Sequence, residues 1–124
     1  MIIKFYKVDE KHAYMTEKDI LEKLCNVPAF PKIIDYKECD DCSYIVQEYL
    51  GLNLFELYFD YPGLFTLKRI CKFAVQIITC IEALHKQGYL HRDLKPDNVL
   101  VDPLRNQNQV FLIDFGLSVK CIDS

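Results

Sequence analysis

His91-Arg92-Asp93-Leu94-Lys95-Pro96-Asp97-Asn98, followed by Asp114-Phe115-Gly116, is the stretch on which the reading of this 124-residue chain turns. In one order it supplies a carboxylate at Asp93, an ammonium at Lys95, an amide at Asn98 and a second carboxylate at Asp114. Carboxylate and amide oxygens are hard donors. They suit magnesium, which keeps several waters, better than a Cys or His cluster would. The bland alternative is a polar turn followed by an unrelated Asp-Phe-Gly, and it has to explain both motifs, in this order, by chance.

Working outward, 51% of the residues are hydrophobic, as in an ordinary globular chain, and the length allows one modest core and one domain. A formal net charge of −3 gives no electrostatic reason to expect nucleic acid or an acidic membrane as partner. Charged and amide residues interrupt every apolar run well short of membrane-spanning length, and the opening MIIKFYKVDE lacks a signal-peptide core. The expectation is an intracellular protein, cytoplasmic or nuclear. Its six cysteines, at 25, 39, 42, 71, 80 and 121, then read as reduced thiols. Cys39 and Cys42 form a lone Cys-Asp-Asp-Cys without two further zinc ligands, which favours a hairpin turn over a metal site. Cys71 and Cys80 fall in a helical pattern and read as small core residues.

Hydrophobic periodicity orders the elements. Residues 1–8 are β-branched and aromatic and read as a strand. A helix is expected from about Tyr14 to Cys25, with Ile20, Leu21 and Leu24 on one face and Pro28 and Pro31 beyond its end. Residues 32–36 and 43–50 flank the acidic turn as an antiparallel hairpin that Gly51 terminates. A short helix is expected over 53–58, and a long one over 66–87. In the long helix Thr66 is the N-cap, Gly88 the C-cap glycine, and Ile70, Ala74, Ile77, Ile81 and Leu84 the core stripe. Residues 98–101 and 109–114 read as two strands joined by a polar loop.

This order of elements, with HRDLKPDN and DFG in place, resembles the eukaryotic protein kinase family along essentially the whole chain. Lys95 within the motif resembles the serine/threonine kinases rather than the tyrosine kinases. EYLGLNLFEL after the hairpin, Asp97 before Asn98 and the polar loop before FLIDFG look most like the casein kinase 1 group. The resemblance implies an α+β, partial protein-kinase fold: residues 1–50 as part of the small lobe, and 51–124 as the start of the large lobe through DFG. It implies ATP and magnesium as cofactors and a protein bearing Ser or Thr as substrate, with no nucleic acid or membrane partner. Asp93 would be the catalytic base, with Lys95 neutralising phosphoryl charge, and Asn98 and Asp114 would bind metal. Lys4, in IIK at 2–4, would contact the ATP phosphates, with Glu17 as its partner on the following helix. Gln47 would lie beside the adenine, Glu48 and Leu50 would meet its edge through their backbones, and Leu100 would lie beneath it. Leu21, His91 and Phe115 resemble the stack linking the lobes, and His91 is expected to pack and bond to backbone rather than act as an acid or base.

Departures from the family pattern shape one further expectation. No glycine-rich loop precedes Lys4, the residues end soon after DFGLS, and Ile2 stands where a small alanine usually packs over adenine. These 124 residues by themselves are expected to have little or no kinase activity and to expose apolar surface. The alternative functions are a non-catalytic nucleotide- or partner-binding module and a small-molecule phosphotransferase. The latter shares an H-x-D-x4-N arrangement but fits HRDLKPDN with DFG less well.

Overall fold

A computed structural model describes residues 1–121. Its elements run β1 (Ile2–Lys7), α1 (Lys11–Lys23), β2 (Ile33–Lys37), β3 (Cys42–Gln47), β4 (Leu52–Asn53), α2 (Leu54–Asp60), α3 (Leu67–Lys86), β5 (Tyr89–Leu90), β6 (Val99–Asp102), β7 (Asn106–Leu112) and β8 (Val119–Lys120). The fold is α+β. The strands form antiparallel sheets ordered β1-β3-β2, β4-β6-β7 and β5-β8.

Strand alternation delivers the first charged group. Side chains two apart share a face. Ile3 and Phe5 therefore point to solvent, while Tyr6 is buried and Lys4 half-buried on the face toward α1. Helix α1 begins at Lys11 rather than Tyr14, because a 3-10 turn at Val8–Glu10 leads into it, capped where Glu10 Oε2 accepts the Lys7 N–H at 2.9 Å. That first turn is polar and exposed, so apolar spacing could not reveal it. The helix stops at Lys23, short of Cys25, and buries Tyr14, Glu17, Ile20 and Leu21.

The hairpin forms around the acidic turn as expected, yet β3 ends at Gln47, not at Gly51. Gln47 is the last residue with partners on both sides, Ile2 and Ile33, and past it only one bond continues, from the Glu48 N–H to the Lys32 carbonyl at 3.3 Å. Gly51 instead marks the crossing from β3 to β4. Its φ is +109°, and a Cβ there would lie 2.4 Å from the Val101 carbonyl oxygen.

Helix α3 starts under Thr66, whose hydroxyl accepts the Arg69 N–H at 3.3 Å. It ends before Gly88, at φ +79°, whose N–H donates to the His85 carbonyl at 2.8 Å. Its buried face differs from the expected stripe. Phe73, Cys80 and Leu84 are buried and Ile77 packs against them, whereas Ile70 and Ala74 are exposed. Gln76 explains the rotation: its Nε2 donates to the Asn108 carbonyl (2.5 Å) and its Oε1 accepts the Val110 N–H (3.0 Å). The free backbone groups of β7 need partners, and meeting them turns the 73/76/77/80 side of α3 inward. Cys71 is consequently exposed, against expectation. Burial pushes the Cys80 thiol up to about 11. Leu67, Val75 and Ile78 remain on the outer face.

Strand β7 begins at Asn106, so half of the expected polar loop belongs to a strand. The turn is only Pro103–Arg105, held by Asp102 Oδ1 accepting the Leu104 and Arg105 N–H groups at 2.9 and 3.0 Å. Asn98 falls in a 3-10 turn rather than in β6, and α2 starts after its cap Asn53 and runs on to Asp60. The short strands β4, β5 and β8 carry too few residues to show a pattern in sequence. The main core joins Ile20, Leu21, Leu24 and Phe30 to Leu57, Leu84, Val101, Leu112 and Phe115. Among the described residues no helix is long and apolar enough to cross a membrane.

Candidate active site

Lys4 and Glu17, 13 residues apart, meet: Nζ donates to Oε2 at 2.6 Å. The same ammonium donates to Asp114 Oδ1 at 2.8 Å, so one cation bridges β1, α1 and the Asp-Phe-Gly turn. Glu17 is 1% exposed. Burying a carboxylate is costly unless it is fully bonded, and two further donors do this. The Tyr6 hydroxyl reaches Oε2 at 2.6 Å, and Gln47 Nε2 reaches Oε1 at 3.3 Å. Tyr6 went unassigned in sequence, although its spacing of two from Lys4 was the available signal. Gln47, expected beside the adenine, puts its amide on Glu17. Burial pulls the Lys4 ammonium down, but Glu17 and Asp114 outweigh it and raise its pKa above the usual lysine value. Burial and then Glu17 push the Tyr6 phenol well above the usual tyrosine range.

The second group of residues is built on the turn before β6. Asn98 Nδ2 donates to the Asp93 carbonyl at 2.8 Å and to its Oδ2 at 3.0 Å, and Lys95 Nζ pairs with the same Oδ2 at 2.9 Å. The hydrogen bond from Lys95 holds the Asp93 carboxyl below the usual carboxylate range; partial burial opposes this and Asn98 reinforces it. Backbone ties bring the two groups together, since the Ile113 N–H donates to the Asn98 carbonyl at 3.0 Å, one residue before Asp114. Arg92 and Asp114 are the non-glycine residues of positive φ among those described, at +69° and +63°. Each is a sparsely populated conformation costing about 1–2 kcal/mol, and it re-aims the chain where the charged side chains converge.

His91 behaves as a structural residue. Its Nδ1 accepts the Asp93 N–H at 3.2 Å, which leaves the ring proton on Nε2 to donate to the Ile113 carbonyl at 3.0 Å. Its ring meets Phe115 edge-on at 5.3 Å, and Phe115 packs in the same core as Leu21.

Beside Lys4 lies a cleft of about 210 Å3, lined by Ile2, Glu48, Leu50 and Leu100 together with Lys4, Glu17, Gln47 and Asp114. Larger concavities exist, among them one of about 420 Å3 between α1 and β8. What sets the smaller one apart is convergent charge at one end and apolar walls at the other. Ile2 forms part of its wall. Glu48 turns its Oε1 to the Lys32 N–H at 3.1 Å. Among the described residues there is no cluster of three or more His, Cys, Asp or Glu side chains that could hold a metal ion.

Lys4, held between Glu17 of the helix and Asp114 of the Asp-Phe-Gly turn, thus lies in one charged cluster with the His-Arg-Asp turn that Asn98 braces. The family model for the protein kinase domain matches residues 1–124, and the chain belongs to that family. It is 40% identical over 120 residues to a Dictyostelium discoideum protein named as a probable serine/threonine-protein kinase. That match covers 94% of this chain and 24% of the relative's length.

Proposed function

We propose that this chain carries the catalytic centre of a serine/threonine protein kinase of casein kinase 1-like type, which transfers the γ-phosphate of ATP to protein hydroxyls with magnesium. The observation that carries the reading is Lys4 bridging Glu17 and Asp114 at 2.6 and 2.8 Å at the mouth of an apolar-walled cleft. Lys4 neutralises phosphate charge, and Glu17 keeps the ammonium in place. Asp93, its carboxyl held ionised by Lys95, orients the substrate hydroxyl and takes its proton. Lys95 faces the transferred group.

The oxygen donors fit magnesium. Asn98 uses its amide nitrogen on Asp93, which leaves Oδ1 available, and Asp114 uses Oδ1 on Lys4, which leaves Oδ2. When bound, the ion would neutralise charge on the phosphate oxygens in a transition state that needs chiefly positioning and electrostatic support. Leu100 would lie beneath the adenine and Ile2 over it, and the Glu48–Leu50 backbone would meet its edge. The casein kinase 1-like assignment rests on EYLGLNLFEL, Asp97 before Asn98 and the loop ahead of FLIDFG.

Ligand-induced stabilisation tests the nucleotide site. Magnesium with ATP should raise the melting temperature of the chain; Lys4→Ala and Asp114→Asn should abolish the rise and Asp93→Asn should keep it. In the natural full-length protein, Asp93→Asn should stop phosphate transfer to protein hydroxyls. Transfer that survives this substitution would remove Asp93 from its role as base.

A further inference from the structure

Glu17 is not the only polar anchor of α1. Two residues further along the helix, Asp19 Oδ2 accepts a hydrogen bond from the hydroxyl of Tyr89, which is 2% exposed and lies in β5, two residues before His91. Lys23 Nζ pairs with the same Oδ2 at 2.9 Å and stands 5.2 Å from the centre of the Tyr89 ring, while Lys120 of β8 stands 5.9 Å from it.

Helix geometry gives this contact its meaning. Each residue turns the helix by about 100°, so side chains two apart point to nearly opposite sides. Glu17 reaches β1 and β3 on one side of α1, and Asp19 reaches β5 on the other. Ile20 and Leu21 bury the helix against the core, but apolar burial is non-directional and sets its height better than its roll. Directed bonds on two opposed sides set the roll. Between α1 and β8 a cleft of about 420 Å3 leaves His12 and Met15 exposed, and Asp19 and Tyr89 both line it.

We propose that Tyr89 is a positioning residue: through Asp19 its hydroxyl sets the roll of α1 and thereby holds Glu17 on Lys4, linking the strand that enters the HRD motif to the phosphate-facing lysine. This rests on the reading of Lys4 and Glu17 as the phosphate-facing pair. The hydroxyl touches no reacting atom.

The test reads the Lys4 amine directly. Brief acetic anhydride labelling followed by peptide mass analysis gives the labelling rate of Lys4 relative to exposed Lys68, with Glu17→Gln as the benchmark for a Lys4 that has lost the charge of its helix partner. Tyr89→Phe, which removes only the hydroxyl, should raise the Lys4/Lys68 ratio at least about threefold. Asp19→Ala, at a position open enough to tolerate truncation, should do the same and stands in if Tyr89→Phe fails to fold. Asp19→Asn keeps an acceptor oxygen and should restore the parent ratio. A residue of merely structural importance would lower the melting temperature without moving the ratio. If Tyr89→Phe and Asp19→Ala both keep the parent ratio while Glu17→Gln raises it, the proposal is wrong. If Glu17→Gln leaves it unchanged, the Lys4–Glu17 contact itself fails, and the proposal with it. Protection of Lys4 by magnesium and ATP reports on the kinase reading alone; without it that reading fails, while the hold of Tyr89 on α1 stands on the ratios.

Discussion

Glu17→Gln keeps the shape of the side chain and removes its charge. The carboxylate accepts from Lys4 and Tyr6 at 2.6 Å each on one oxygen and from Gln47 at 3.3 Å on the other. An amide has one acceptor and one donor end. With its oxygen toward Lys4 and Tyr6, its NH2 faces the Gln47 amide, which must flip to present oxygen. Turned the other way, its NH2 meets the Lys4 ammonium. In the better arrangement the Tyr6 bond loses its ionised partner and falls from about 1.5–3 to about 0.5–1.5 kcal/mol, while the Lys4 bond keeps an ionised donor and loses its ion-pair attraction. The loss is discounted because Lys4 is 33% exposed and keeps Asp114, and because the desolvation cost of the carboxylate disappears as well. A destabilisation of about 2 kcal/mol remains. For a chain of this size that lowers the melting temperature by about 8 °C, read by far-UV circular dichroism. The added stabilisation by magnesium and ATP should shrink in parallel. A variant melting within about 2 °C of the parent would show that Glu17 is not bonded as described.

Three other outcomes follow from the geometry. Gly51→Ala drives a Cβ to 2.4 Å from the Val101 carbonyl oxygen and 2.6 Å from Asp102 Cα at φ +109°, so it should cost about 2–5 kcal/mol in urea unfolding; a loss below about 1 kcal/mol would contradict the close β4–β6 approach. Lys95→Ala removes the main cause of the lowered Asp93 pKa, so in the natural full-length protein the acid limb of the phosphotransfer rate should move to higher pH, and an unmoved limb would separate Lys95 from Asp93. Burial, then the bond to Asp19, pushes the Tyr89 phenol up to about 12. A raised pKa stabilises the fold below the unfolded value of about 10 and loses that contribution as pH rises toward about 12. Tyrosinate absorbance should therefore show late titration by Tyr89 and Tyr6 among the 8 tyrosines, and Tyr89→Phe should shrink that component near pH 12 while Tyr6 keeps the remainder.

Much of this protein was legible before any coordinates. Asp93, Asn98 and Asp114 stand out because the chemistry proposed for them needs fixed residue types at nearly fixed spacing, and that spacing survives in one dimension. The capped helix α3 was equally readable, since Thr66 and Gly88 act on their own neighbours. Contacts between distant segments were not. Tyr6 and Gln47 on Glu17, and Tyr89 on Asp19, join residues as far as 70 positions apart, and no local pattern encodes such pairs.

The buried side of α3 shows the same division. Its periodicity allows an apolar stripe through Ile70 and Ala74 as well as one through Phe73 and Cys80, because the helix is rich in apolar residues on several sides. The unpaired backbone of β7 chose between them through Gln76. Residue types and local spacing thus set the elements and the reactive groups. The roll of each helix, and the partners of each buried charge, were decided only in three dimensions, because backbone groups and carboxylates removed from water must find donors wherever the rest of the chain places them.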